Sequence, residues 1–117
     1  MIDAIHFYRV EDLENVKHFY GKILSLPLYK YQKTCLIYCL KGHGKIGFCT
    51  HHPKEKNEAT CITFVYETKE AVDEMYAYMK NHVKIDHEPT TNETFKIYHF
   101  FLKDFEGLTL EFQTFLK

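Results

Sequence analysis

The sequence predicts an α+β fold built from two βαβββ modules, and three observations support this prediction. Short runs of alternating apolar, aromatic and β-branched residues are typical of strands. Two longer stretches repeat apolar residues at steps of three and four, which indicates helices. The order of one strand, one helix and three strands then occurs twice along the 117 residues.

The composition is that of one globular domain. The chain is 45% hydrophobic and contains ten Phe and nine Tyr, which suffices for a core at this length. Its net charge is −1, with 15 basic and 16 acidic residues and no block of like charge. We therefore expect a small-molecule ligand or substrate, and neither nucleic acid nor membrane, as the partner.

The location of the protein is predicted from its N-terminus and its apolar runs. No run approaches the roughly 20 apolar residues of a membrane-spanning helix. The N-terminal residues lack the basic start and apolar stretch of a signal peptide. We expect a cytoplasmic protein.

Module one is predicted over about residues 1–52. Its first strand covers residues 4–10, and Asp12 caps a helix that ends before Pro27. Three strands follow, at residues 28–32, 35–40 and 45–50. The polar segment 51–58 is the predicted linker.

Module two, predicted over about residues 59–117, repeats this order. Thr68 caps a helix whose apolar stripe runs from Val72 to Val83. Its strands are predicted at residues 61–66, 85–88, 95–103 and 108–115.

The two modules align as an internal repeat. Setting Val10 on Tyr66 places Asp12 on Thr68 and keeps the two helices in register without a gap. One module alone leaves a sheet face uncovered, so two must pair, within the chain or across a dimer. Exposed apolar sheet surface favours self-association, and we expect a homodimer.

Three segments resemble the vicinal oxygen chelate superfamily, which includes glyoxalase I, bleomycin-resistance proteins and extradiol dioxygenases. They are V-E-D-L at residues 10–13, H-F-Y-G-K-I-L-S-L at residues 18–26 and D-F-E-G-L-T-L-E-F at residues 104–112. The resemblance implies a curved mixed sheet around a concave cleft. The chain departs from the family pattern at Ser25, Phe105 and Glu106, where the family has Gly, Pro and Asp.

The resemblance also implies four slots for ligands of a divalent metal such as Zn, Ni, Fe or Mn. Glu111 matches one slot, while Ile5 and Gly47 occupy two others without a donor atom. Cys61 falls on the fourth and, as a thiolate, binds a soft metal. His6 lies one residue from a slot and reaches it only through a β-bulge. The metal candidates are thus Glu111, Cys61 and His6, an incomplete set.

Glu111 and His99 are the candidate catalytic residues. A histidine within reach of a carboxylate forms an acid–base pair, and Glu111 in a cleft acts as a general base without metal. The alternatives are a hydrogen-bonded core histidine and a Glu111 that points to water. Alternation adds five candidate ligand-binding residues, which are Phe7, Arg9, Cys49, Thr63 and Gln113.

The cysteines and the remaining histidines carry weaker signals. The four cysteines form no C-x-x-C pair and lie in strand-like surroundings, which favours reduced core thiols. They are Cys35, Cys39, Cys49 and Cys61. His43, His51 and His52 are interpreted as solvated surface residues.

Three functions remain open at this point. The first is a glyoxalase/bleomycin-resistance-like protein that binds a small, partly apolar molecule in a concave cleft whose metal site is incomplete. The second is a metal-dependent lyase or isomerase of the glyoxalase I type that uses Glu111 as ligand or base. The third is a structural dimer module with a vestigial cleft.

Overall fold

The structure, a computed structural model, describes residues 1–42, 44–51 and 61–117. The chain divides into two compact units, Met1–Lys56 and Asn57–Lys117. Each unit contains one strand, one helical segment and three further strands, joined into a four-stranded mixed sheet. The predicted α+β fold of two βαβββ modules is confirmed. The predicted linker, apart from His51, lies outside the described residues.

Module one has the strand order β1-β4-β3-β2, in which β1 pairs with β4 in parallel and the other pairs are antiparallel. The strands agree with the prediction to within a residue or two at each end. They are β1 (Ile5–Arg9), β2 (Leu28–Gln32), β3 (Cys35–Cys39) and β4 (Lys45–Cys49).

The first helical segment begins where the sequence predicts. The Asp12 carboxylate accepts a hydrogen bond from the Glu14 amide at 2.9 Å and caps the helix. The segment is α-helical over Leu13–Val16 (α1) and π-helical over Lys17–Ile23. It ends at Ser25, whose φ of 54° is the left-handed conformation that a glycine adopts most easily.

The core of module one lies between this helical segment and one face of the sheet. The rings of Tyr20 and Phe48 pack with their centroids 4.3 Å apart. Both are fully buried, as are Phe19, Leu36 and Ile46. Alternation explains the arrangement, because Ile46 and Phe48 on β4 face the helix while Gly47 and Cys49 face the other way.

Module two has the strand order β5-β8-β7-β6, again with a parallel pair of its first and last strands. The Thr68 hydroxyl accepts a hydrogen bond from the Ala71 amide at 3.0 Å, so the predicted cap is confirmed. The elements are β5 (Cys61–Val65), α2 (Lys69–Met79), β6 (Thr90–Asn92), β7 (Ile97–Lys103) and β8 (Thr109–Phe115).

The predicted strand at residues 85–88 is wrong, because the strand that pairs with β7 is Thr90–Asn92. The tight turn after it determines the position. The Asn92 side chain accepts a hydrogen bond from the Phe95 amide at 3.1 Å, and Lys96 adopts a φ of 55°. The pairing strand must directly precede this turn. Its Thr-Thr-Asn sequence lacks the apolar alternation by which strands are identified.

The core of module two is aromatic and lies beneath α2. Phe100 and Phe112 stack with their centroids 5.0 Å apart, and Tyr76 of α2 meets Phe100 edge-on at 5.5 Å. Val72 and Met79 of α2 are fully buried. Among the described residues, no helix has the length and apolar character needed to cross a membrane.

The turn between β7 and β8 keeps its form despite its departures from the family pattern. One Asp104 carboxylate oxygen accepts hydrogen bonds from the amides of Glu106 at 2.8 Å and Leu108 at 2.9 Å. Gly107 adopts a φ of 82°. Since Asp104 and Gly107 supply the essential interactions, Phe105 and Glu106 are tolerated between them.

Candidate ligand-binding site

Strand register in module two brings the polar candidates onto one face of the sheet. The parallel pair β5/β8 sets Thr63 opposite Glu111, and the antiparallel pair β7/β8 sets His99 opposite Gln113. Leu110 and Phe112 are buried in the core. Alternation therefore turns Glu111 and Gln113 to the face away from α2.

Three side chains donate hydrogen bonds to the Glu111 carboxylate. The Thr63 hydroxyl lies 2.8 Å from Oε1, and Nδ1 of His99 lies 2.6 Å from Oε2. With its NH2 group turned toward the carboxylate, the Gln113 amide lies 3.2 Å from both oxygens. We call this set, Glu111 with Thr63, His99 and Gln113, the Glu111 network.

The network fixes the orientation of the His99 ring. An ionised carboxylate only accepts hydrogen bonds, so Nδ1 of His99 carries the proton. The side chains of His99 and Glu111 are only 11% and 13% exposed. Within the described residues, Nε2 has no hydrogen-bond partner. His99 is thus a histidine held by a carboxylate on one nitrogen, with the other nitrogen available to a ligand.

A cavity of about 530 Å³ lies against this network. Its volume is within the range of roughly 300–1,000 Å³ that small-molecule sites occupy. Its wall combines three phenylalanine rings and one isoleucine with four polar side chains. The lining residues are Asn92, Phe95, Ile97, His99, Phe101, Glu111, Gln113 and Phe115.

His99 also borders a second cavity of module two, of about 540 Å³. Glu111 does not line it. This second cavity is flanked by the charged side chains of Lys84, Asp86 and Glu88. The pairing of His99 with Glu111 makes the first cavity the better candidate site, because only there do both members of the pair line the wall.

In module one, the corresponding metal slots do not fit a metal. Ile5 and Gly47 have no donor atom, and the Phe7 ring covers Gly47. A Cβ atom placed on Gly47 would lie 2.5 Å from Cε1 of Phe7. The space in which a ligand side chain would stand is therefore filled by an aromatic ring.

The bulge required to bring His6 into a metal slot is absent from β1. The pairing of β1 with β4 runs without a shift from Ile5–Lys45 to Arg9–Cys49. His6 is paired with Ile46 and therefore lies on the face opposite to that of Phe7. The register shift in this sheet occurs instead in β2, between Leu28 and Lys30.

Cys61 lies beside the Glu111 network and not in direct contact with its carboxylate. Its sulfur is 3.9 Å from the Thr63 hydroxyl. Partial burial raises the pKa of the Cys61 thiol, and the nearby Glu111 carboxylate adds to this effect, while the hydrogen bond with Thr63 opposes it. Both changes disfavour the thiolate that a metal requires. Glu111, Cys61 and His6 therefore do not fit the metal that the family resemblance implies.

The remaining candidates belong to module one. Arg9 is an exposed residue at the end of β1. Cys49 forms a disulfide with Cys35, so the prediction of reduced thiols is wrong for this pair. The reason is register, because β3 and β4 set the two residues directly opposite each other. Cys39 and Cys61 are free.

Of the three histidines near the linker, the structure describes only His51. His43 and His52 lie outside the described residues. His51 is exposed, and its Nδ1 lies 3.0 Å from the Thr34 hydroxyl and 3.6 Å from the Cys35 sulfur. His51 is thus an exposed surface residue, as interpreted from the sequence, that also contacts Thr34 and Cys35.

A family model described as the Glyoxalase/Bleomycin resistance protein/Dioxygenase superfamily matches residues 2–112. The chain belongs to this superfamily. The resemblance inferred from the sequence is thereby confirmed. A search of curated proteins finds no match for this superfamily member.

Solved structures of superfamily proteins share the fold. A glyoxalase/bleomycin resistance protein/dioxygenase from Nocardioides has a TM-score of 0.82 at 13% identity, covering 100% of this chain and 84% of that one. A glyoxalase/bleomycin resistance protein from Albidiferax ferrireducens T118 has a TM-score of 0.73 at 21% identity, with 97% and 99% covered. A lactoylglutathione lyase from Agrobacterium tumefaciens has a TM-score of 0.78 at 14% identity, with 95% and 91% covered. At these identities the similarity establishes the fold alone.

Substituting Gly47 tests whether Phe7 occupies the empty metal slot of this superfamily member. We expect Gly47→Ala to destabilise the protein by about 0.5–1 kcal/mol, because the new methyl group must displace the half-exposed Phe7 ring. In a Phe7→Ala background the same change should cost much less. Chemical denaturation of the four proteins of this double-mutant cycle measures the coupling. An Ile5→Ala background is the control, and equal costs in all three backgrounds would contradict the contact.

Proposed function

We propose that module two binds a small, partly aromatic molecule in the cavity beside the Glu111 network. The observation that carries this proposal is the near-buried Glu111–His99 pair in the wall of a cavity that three phenylalanine rings also line. Binding sites typically combine apolar walls with a few convergent polar groups. Burying a carboxylate in such a wall costs free energy unless hydrogen bonds compensate for the lost water. Thr63, His99 and Gln113 provide these hydrogen bonds to Glu111.

The network sets the chemistry of the molecule. The Glu111 carboxylate repels anions, and Nε2 of His99 accepts a hydrogen bond when the ring is neutral. Aromatic amines and phenols offer both a donor and a ring that packs on Phe101 or Phe115. We therefore expect such molecules to bind in preference to aromatic carboxylates.

The same pair also supports acid–base chemistry on a bound molecule. His99, oriented by Glu111, is arranged to take a proton at Nε2, while the carboxylate stabilises the imidazolium that forms. A metal-dependent lyase reaction is the weaker candidate, because two of the four family slots are Ile5 and Gly47. A vestigial cleft is the weakest, since within the described residues Nε2 of His99 is left without a partner beside an open cavity.

Ligand binding is tested with a fragment set of aromatic amines, phenols and carboxylates, using saturation-transfer NMR followed by titration. Loss of one hydrogen bond between neutral groups costs about 0.5–1.5 kcal/mol, so Glu111→Gln and His99→Gln should weaken an amine or phenol hit by about two- to tenfold. Glu74→Gln on α2 and the surface change His82→Gln are the matched controls.

Stability is measured on the same samples by thermal unfolding. Glu111→Gln should also lower the melting temperature by a few degrees, because the network loses its charged acceptor. Fragments that bind all four variants equally, or an absence of hits together with marked destabilisation by Glu111→Gln, would make the network structural.

We also propose that the protein is a homodimer. Large apolar strand residues outside the cavity wall are exposed, including Leu28 at 55%, Tyr31 at 59% and Val65 at 58%. Such a surface favours self-association with twofold symmetry. Light scattering at micromolar concentration should give twice the mass of the chain, and the mass of a single chain would contradict the dimer.

A further inference from the structure

Cys35, Cys49 and His51 bring two sulfurs and an imidazole together at one side of module one. Their potential ligand atoms all lie within 4.8 Å of one another. Among the described residues, these three form the one group of three or more His, Cys, Asp and Glu side chains this close together. The group is separate from the Glu111 network, which belongs to module two.

Strand geometry holds the three side chains on one face. Cys35 and Cys49 are opposite each other on β3 and β4, with Cα atoms 4.2 Å apart. The Thr50 amide donates to the Thr34 carbonyl at 2.9 Å, so the cysteines form a non-hydrogen-bonded pair, in which side chains approach most closely. His51 follows Cys49 by two residues and therefore projects to the same side.

The spacing matches a tetrahedral metal. Bond lengths of about 2.3 Å for zinc–sulfur and about 2.0–2.1 Å for zinc–nitrogen place two sulfurs about 3.8 Å apart and a sulfur and a nitrogen about 3.6 Å apart. The Cys35 sulfur already lies 3.6 Å from Nδ1 of His51. When the disulfide is reduced, the two sulfurs move apart to a nonbonded separation. That separation is close to the sulfur–sulfur distance of a tetrahedral zinc site.

We propose that Cys35, Cys49 and His51 form a binding site for a thiophilic divalent cation, represented by Zn²⁺, when the Cys35–Cys49 disulfide is reduced. Two thiolates and one imidazole are ligands that zinc prefers, and they leave a fourth position for water. Both cysteines are buried, whereas His51 is exposed. A cation therefore enters from the His51 side.

The disulfide and the metal exclude each other. A dithiol reductant transfers two electrons and two protons to the Cys35–Cys49 bond, which breaks into two thiols while the reductant becomes a cyclic disulfide. Zn²⁺ then displaces one proton from each thiol and binds the two thiolates. In the oxidised protein each sulfur is bonded to the other and offers no thiolate. The expected cytoplasmic location would favour the reduced, metal-binding form.

Metal titration of the full chain tests the proposal. The protein is reduced with dithiothreitol, desalted without oxygen and titrated with Co²⁺, whose thiolate charge-transfer absorption reports sulfur ligands, and with Zn²⁺ against a chromogenic chelator. We expect one equivalent bound to the reduced protein and none bound to the oxidised protein. His51→Gln should weaken Zn²⁺ binding by about a hundredfold or more, because two ligands rarely hold a zinc ion.

The variants distinguish this site from other thiols and from the Glu111 network. Cys35→Ser and Cys49→Ser should abolish the charge-transfer band, whereas Cys39→Ser, Cys61→Ser and Glu111→Gln should retain it. Because His51 is exposed, His51→Gln should fold normally. It therefore tests the site even if a cysteine variant does not fold. Equal metal binding by reduced and oxidised protein, or by wild type and His51→Gln, would overturn the proposal. Loss of the band on replacing Cys39 or Cys61 would do the same.

Discussion

The parallel pairing of β5 with β8 determines which side chains of module two reach the cavity. Its register places Thr63 beside Glu111 and, by alternation, buries Leu110 and Phe112 beneath α2. Adding β7 to the other edge of β8 then brings His99 diagonally to Glu111. A shift of one residue would turn Glu111 into the core and Phe112 into the cavity, so the apolar face of β8 holds the network in place.

The two modules use the same framework for different chemistry. By strand register, Phe7 and Gly47 occupy the positions of Thr63 and Glu111, while Cys35 and Cys49 occupy those of His99 and Gln113. Module two therefore carries a hydrogen-bonded network, and module one carries an aromatic ring over a glycine and a pair of cysteines. The repeat preserves the positions that face away from the helix, although it does not preserve the residues that fill them.

Much of the fold was predictable because apolar periodicity, two helix caps and an internal repeat all agree. The exceptions have physical causes. The Thr90–Asn92 strand carries no apolar alternation, and the turn that follows it determines its position. The Cys35–Cys49 pairing follows from a hairpin centred on Gly42, which places residues 35 and 49 opposite each other, yet the spacing of cysteines alone gives no sign of it.

The candidate site was predictable only in part. Alternation together with the family resemblance placed Glu111, Thr63 and Gln113 on the cavity face. For His99 the sequence left open whether it faces the cavity or the core. The hydrogen bonds of these four residues depend on the diagonal relation of β7 to β8, which the sequence alone does not specify. Five residues of the cavity wall were missed, because most of them lie on β6, on β7 or in the turn between these strands, and alternation was applied only to the first and last strands of each module. They are Asn92, Phe95, Ile97, Phe101 and Phe115.

The protonation of the His99 ring tests the account most directly, because the proposed role of Nε2 depends on Nδ1 donating to Glu111. Long-range ¹H–¹⁵N correlation NMR of the full chain at neutral pH distinguishes the two ring nitrogens. The account predicts that Nδ1 of His99 carries the proton and that Glu111→Gln shifts part of the population to the tautomer with the proton on Nε2. It also predicts that the Nε2 resonance moves when an aromatic amine or phenol binds. A neutral ring with a bare Nδ1, unchanged by Glu111→Gln, would contradict it.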